Sequence, residues 1–167
     1  MKKIILILLF SVLMFSCQTE NKSQLTGQEV ASMKSQVSQI LDQVNKDCEA
    51  CNITGAIKPY WNNPEFFAVE SGQVMNYDQL LKSSTDFFAR LESQKLTEKS
   101  VNFKIINRQA IIVTTVFSDT LKMKGGLLLK VEPYTAVCLF EKINGAWKIT
   151  FYSSAAAAPV IVTARHT

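Results

Sequence analysis

Asn144-Gly145 constrains this chain more than any other pair of residues. Both residues tolerate the positive φ of a tight primed turn, and apolar runs flank them on each side. Val137 and Leu139 lie ahead of the turn. Beyond it Trp147, Ile149 and Phe151 alternate with Ala146, Lys148 and Thr150. Residues 135–154 are therefore expected to form a β-hairpin whose second strand has one core face and one wetter face.

The order of elements ahead of the hairpin follows from a change of period. Val30, Met33, Val37, Ile40, Leu41 and Val44 recur at three- and four-residue steps, which predicts a helix over 28–47 with Thr26 and Glu29 as its capping box. A second, short helix is expected over 53–61, stopped by Pro59 to Pro64. A short strand at 66–69 turns at Ser71-Gly72-Gln73, and Val74-Met75 pairs back on it. A third helix over 77–92 buries Leu80, Leu81, Phe87, Phe88 and Leu91, and 92–99 reads as a polar connector. From about residue 100 the period becomes two. Strands are expected at 101–105 and 110–117, the latter apolar on both faces as a strand covered on both sides would be. Residues 119–126 read as a loop or an irregular hairpin, and 127–140 as a long strand bent at Glu132-Pro133. Val160-Ile161-Val162 adds a short edge strand. The 167 residues suit a single domain.

The first seventeen residues have another purpose. Lys2-Lys3 forms a positive start, residues 4–15 are apolar apart from Ser11, and the run is too short to span a bilayer comfortably. Met14-Phe15-Ser16-Cys17 resembles a bacterial lipobox, with a small residue before the cysteine that takes the lipid. Residues 1–17 thus read as a lipoprotein signal peptide with Cys17 as lipidation site, 18–26 as a polar tether, and 27–167 as the single domain. This places the domain outside the cytoplasm, anchored by lipid to a membrane of the bacterial cell envelope. The formal charge of +4 falls to +2 without Lys2 and Lys3, too mild for a nucleic-acid partner.

Three marks carry a resemblance: Tyr60-Trp61 to Val69, Gly72 followed by Tyr77-Asp78-Gln79-Leu80, and Asn144-Gly145-Ala146-Trp147-Lys148-Ile149. Together with the element order over residues 26–154, they resemble the SnoaL-like, nuclear transport factor two-like domains. The resemblance implies an α+β cone in which three N-terminal helices pack into a strongly bent antiparallel sheet. It implies little about activity, because that fold hosts isomerases, dehydratases, hydrolases and binding modules. Many relatives carry a histidine shortly after the hairpin tryptophan. Here Phe151, Tyr152, Ser153 and Ser154 stand there, and the sole histidine is His166.

The cone's open end is the expected pocket. Its candidates are Tyr60, Trp61, Phe67, Phe103, Phe117, Tyr134, Trp147, Phe151 and Tyr152, an apolar set with a few polar tips. Taken singly, each is more ordinarily a core aromatic. Asp119 and Glu132 are placed to send a carboxylate inward, although a loop carboxylate is usually solvated. Cys48 and Cys51 follow a helix end rather than opening a helix, so a disulfide or two free thiols fits them better than a redox or zinc motif. Cys138, amid a strand, reads as a small buried hydrophobe. Lys122 and Lys124 beside Gly125-Gly126 lack the phosphate-loop pattern. No cofactor or metal is expected.

The reading that follows is a lipid-tethered, non-catalytic domain that binds a small apolar ligand or a partner protein. Two alternatives stand beside it. One is an isomerase or hydrolase using Asp119 or Glu132 as base and Tyr134 or Tyr152 as proton donor. The other is a structural homodimer built on the outer face of the sheet. Metabolic labelling with a fatty-acid analogue should mark the native chain and not Cys17→Ser; equal labelling of the two contradicts the lipoprotein reading.

Overall fold

The computed structural model describes residues 24–162. The expected lipidation site Cys17, most of the expected tether and His166 lie outside these described residues. Helix α1 (Gly27–Glu49) is followed by a single turn of helix, α2 (Ile53–Ala56). Strands β1 (Phe67–Glu70) and β2 (Gln73–Met75) precede helix α3 (Tyr77–Phe88). The remainder is sheet: β3 (Leu91–Asn107), β4 (Ala110–Met123), β5 (Leu128–Ile143), β6 (Ala146–Ala156) and β7 (Val160–Ile161). The strand order is β2-β1-β6-β5-β4-β3, with β7 paired to the far end of β5. This is the expected α+β cone, with one refinement. The sheet is antiparallel except where β1 runs parallel to β6.

Both long helices start on reciprocal caps. Thr26 and Glu29 satisfy each other's free groups at the head of α1, and Asn76 and Gln79 do the same for α3. Glu29 also accepts from Arg108 Nε at 2.9 Å, which ties the start of α1 to the β3–β4 turn. The Arg108 guanidinium and the Thr26 cap hold the Glu29 carboxyl down at about 2. At the final hairpin Asn144 and Gly145 both take positive φ, 51° and 83°, as a type I′ turn requires.

Three expected boundaries move, each for a physical reason, and one strand is less covered than expected. The third helix stops at Phe88, and residues 92–99, expected as a connector, are the first half of β3. That half lies on the sheet edge, where one face meets water and the inner face carries half-buried Gln94 beside Leu96, so that little apolar alternation marks the strand. Residues 119–123, expected as a loop or an irregular hairpin, continue β4 in its hairpin with β5, and the turn comes only at Gly125-Gly126, both at positive φ. The second helix ends at Ala56 rather than 61, because Tyr60 leaves it to bridge to Ile149 on β6. Strand β4 is buried on one face only. Ile111, Val113, Phe117 and Leu121 point into the cone, while Ile112, Thr114 and Val116 are half-buried on the outer face.

The main core lies between α1, α3 and the concave sheet face. Met33 and Val37 of α1 and Leu80 of α3 meet Ile111, Val113, Phe140, Trp147 and Ile149. Trp147 is only 6% exposed, and its indole N–H donates to Gln36 Oε1 at 3.0 Å. It joins the final hairpin to α1. Trp147→Ala should therefore destabilise the domain by about 3–5 kcal/mol through cavity formation. A denaturation midpoint unchanged from the parent chain contradicts this placement.

Candidate functional site

Helices α1 and α3 do not fill the cone. A cavity of about 380 Å³ remains between α1, α3 and the inner faces of β4, β5 and β6. Its apolar wall includes Leu41, Val44, Ile57, Leu80, Phe87, Phe88, Phe117 and Ile149. Such a volume and lining fall within the range of small-molecule sites, roughly 300–1,000 Å³.

Two bulges set the polar groups around it. Between Tyr134 and Val131, β5 spends one more residue than β4 spends between Phe117 and Asp119. Between Ile149 and Phe151, β6 likewise spends one more than β5 between Phe140 and Leu139. A bulge bends a strand and re-aims its side chains. Asp119 faces the cavity by the plain alternation of β4, in phase with Phe117 and Leu121, while the extra residue on β5 leaves Glu132 outside. The second lets Ile149 and Tyr152 both point inward, with Thr150 at the bulge donating to Glu141 Oε2 at 2.7 Å.

Of the nine candidates, Tyr60, Phe117, Tyr134 and Tyr152 line the cavity. The other five are elsewhere. Trp147 packs against α1 beneath Lys142, whose ammonium lies 5.1 Å from its ring centroid. Phe67 and Phe151 stack on each other with centroids 4.9 Å apart, and Phe67 is 47% exposed, since both sit on outward strand positions. Phe103 packs against the main core under Lys34, and Trp61 is half-buried beside β6, its backbone N–H donating to Ile149 O.

The hydroxyls of Tyr134 and Tyr152 lie 2.5 Å apart. Burial raises both, Tyr134 to about 12, and raises Tyr60 as well. Beside them is a residue that sequence reading passed over, Glu70 at the end of β1. Ser154 Oγ donates to Glu70 Oε1 at 3.4 Å. Burial pushes the Glu70 carboxyl up, against the pull of the Ser154 and Tyr152 hydroxyls. The β1–β6 pairing that sets Glu70 opposite Ser154 is a contact across 84 positions, and nothing local in the sequence announces it.

The two carboxylates weighed from sequence part company. Asp119 lines the cavity and is 6% exposed, and burial pushes its carboxyl up to about 6, aided by the charge of Glu49 and opposed by a 2.8 Å bond from Gln94 Nε2. Asp119 Oδ1 and Gln94 Oε1, both buried, find no partner among the described residues. Glu132 faces outward among Lys130, Ser118 and Lys99, which hold it down at about 2, so it is no candidate for a base in the cavity. Cys48 and Cys51 are free thiols; Cys48 lines the cavity and burial pushes it up to about 12. Cys138 is buried and likewise raised to about 12, as a small core hydrophobe is expected to be. Among the described residues no cluster of His, Cys, Asp or Glu is arranged to hold a metal.

Neither a family model nor a curated protein matches the sequence. Solved structures do match in shape. A hexachlorocyclohexane dehydrochlorinase from Novosphingobium barchaimii, LinA-type3, superposes with a TM-score of 0.71 at 7% identity, covering 85% of this chain and 98% of its own. A nuclear transport factor 2-like superfamily protein from Salmonella enterica gives a TM-score of 0.68 at 12% identity over 77% and 94% of the two chains. A protein of that type and of unknown function from Shewanella oneidensis gives 0.58 at 21% identity over 73% and 98%. The fold is the nuclear transport factor 2-like cone, and at these identities the likeness extends to the fold alone.

Asp119 makes stability depend on pH. Its folded pKa of about 6 lies above the ordinary 3.8, so its contribution is fully present below pH 4 and lost as pH rises through 6. Asp119→Asn should then gain stability on the parent chain between pH 4 and pH 8, by about 1–2 kcal/mol after allowance for solvent screening. Parallel stability curves for the two proteins over that range contradict the burial of this carboxyl.

Proposed function

We propose that the cone pocket binds a small, largely apolar molecule, and that the domain does so at the surface of an envelope membrane to which Cys17 tethers it. The observation that carries the binding reading is the cavity itself. About 380 Å³ stays unfilled in an otherwise close-packed domain, with aromatic and aliphatic walls and a few converging polar groups. The tether rests on the order of charged start, apolar run and lipobox in the first seventeen residues.

A second reading, acid–base catalysis on a bound molecule, is favoured by one observation. Asp119 is a cavity carboxyl with a raised pKa and an uncommitted Oδ1, the condition in which a carboxylate serves as a base near neutral pH. Enzymes occur among the solved structures of this shape, which raises the standing of that reading only by analogy of fold.

Calorimetry on the full-length chain separates these from a filled, purely structural cone. A bicyclic probe such as α-tetralol should bind saturably, and Ala136→Phe, which grows a ring into the cavity wall, should abolish binding while the thermal melt stays cooperative. Heat no different from the buffer blank contradicts the binding reading. Turnover of small enolisable ketones that is lost in Asp119→Asn, with the fold intact, would establish the catalytic reading in its place.

A further inference from the structure

We infer that Cys48 and Cys51 close a disulfide in the wall of the cone pocket when the chain meets an oxidant, and that this bond tightens the pocket's hold on its ligand. The second half rests on the cavity being a binding site.

The turn that ends α1 already holds the two cysteines together. Cys51 N–H donates to Cys48 O at 2.9 Å, and such a four-residue turn keeps its end Cα atoms within about 7 Å, near the reach of a disulfide. The turn is pinned from its flanks as well. Asn52 N–H donates to Asp47 O at 2.8 Å, and Asn52 Nδ2 donates to Asp47 Oδ1 at 2.8 Å. These bonds hold Cys51 at φ 53°, a left-handed conformation that a residue with a side chain adopts at a cost. The two side chains share one neighbourhood. Cys48 lines the cavity, as Phe87 and Phe88 do. Cys51 and those same two rings pack against the cluster of Leu91, Leu121 and Val131.

The reaction is thiol–disulfide exchange, and the oxidant is a disulfide compound of the kind that persists outside the cytoplasm. The Cys51 thiolate attacks one oxidant sulfur. The oxidant's S–S bond breaks, a mixed disulfide forms, and the departing thiolate takes up a proton. Cys48 then loses its proton to solvent and attacks the Cys51 sulfur, which releases the second thiol. Two protein thiols become one disulfide, and the oxidant is reduced to two thiols. Burial pushes the Cys48 thiol up to about 12, so Cys51 reacts first. The pair sits at the C-terminal end of α1, where the helix dipole disfavours a thiolate, and a poor leaving thiolate makes the finished bond slow to reopen. While reduced, Cys48 keeps its rotamer freedom in the cavity wall. The bond removes that freedom before a ligand arrives, so less is lost on binding.

The full-length chain, reduced and then treated with glutathione disulfide, is unfolded, alkylated with N-ethylmaleimide and digested with trypsin. Cleavage after Lys46 and Lys82 leaves both cysteines in one peptide and Cys138 in another. The first peptide should be lighter by two hydrogens and carry no label, while Cys138 keeps its label. In calorimetry the oxidised chain should bind α-tetralol roughly threefold more tightly than the reduced chain, the size of effect set by one side chain fixed beforehand. Cys51→Ser, which cannot close the bond, should bind alike before and after oxidant. Label or glutathione on Cys48 or Cys51 after oxidation overturns the inference and leaves the binding reading standing. A closed disulfide with unchanged or weaker affinity overturns its coupling to the pocket. Binding by neither form overturns that coupling together with the binding reading.

Discussion

Everything in this domain depends on how far its sheet can bend. A flat sheet laid against two helices closes its interface along its whole length. Here β5 carries an extra residue at Glu132-Pro133 and β6 another at Thr150. The bends curl the sheet around α1 and α3 while the helices reach only part of the hollow. Met33, Val37 and Leu80 close one part of the cone against Trp147 and Phe140. The other part stays open between Phe117, Tyr134 and Tyr152. Core and cavity are thus two stretches of one concave face.

The same bulges govern the chemistry. Asp119 and Glu132 lie on neighbouring strands, close to the same bend, yet one is pushed up to about 6 and the other held down to about 2. Burial decides the first and lysines decide the second. Glu70 reaches the site from a different element, the short strand β1, through its parallel pairing with β6. A buried polar cluster of this kind is costly unless every proton has a destination. Glu70 gives the Ser154 proton its destination, and the paired Tyr134 and Tyr152 hydroxyls share another.

Much of the fold was legible because its signals are local. The cap at Thr26, the stripe of α1 and the Asn144-Gly145 turn each act over a few residues, and each stands as expected. The first half of β3 was not legible, because an edge strand with one wet face and Gln94 beside Leu96 on the other reads as a polar connector. Residues 119–123 misled in the same way: Ser118, Asp119 and Thr120 look like a loop until β5 supplies the partner backbone. The site was less legible still. Four aromatics were placed in the cavity and five were not, since a strand's period tells which residues share a face and not where a bulge resets it. Glu70 and Gln94 carry no local mark at all; only the assembled sheet brings them to the cavity.

Chemical-shift mapping of the full-length chain with α-tetralol tests the account most directly, because it reports where a ligand sits as well as whether it binds. The account predicts shifts concentrated at Thr115, Phe117, Ala136, Tyr152 and Ala156, the inner face around the open part of the cone. Shifts gathered instead at Gln36, Lys58 and Gly145, in the groove between α1 and the final hairpin, or on the outer sheet face at Phe67 and Phe151, would contradict it.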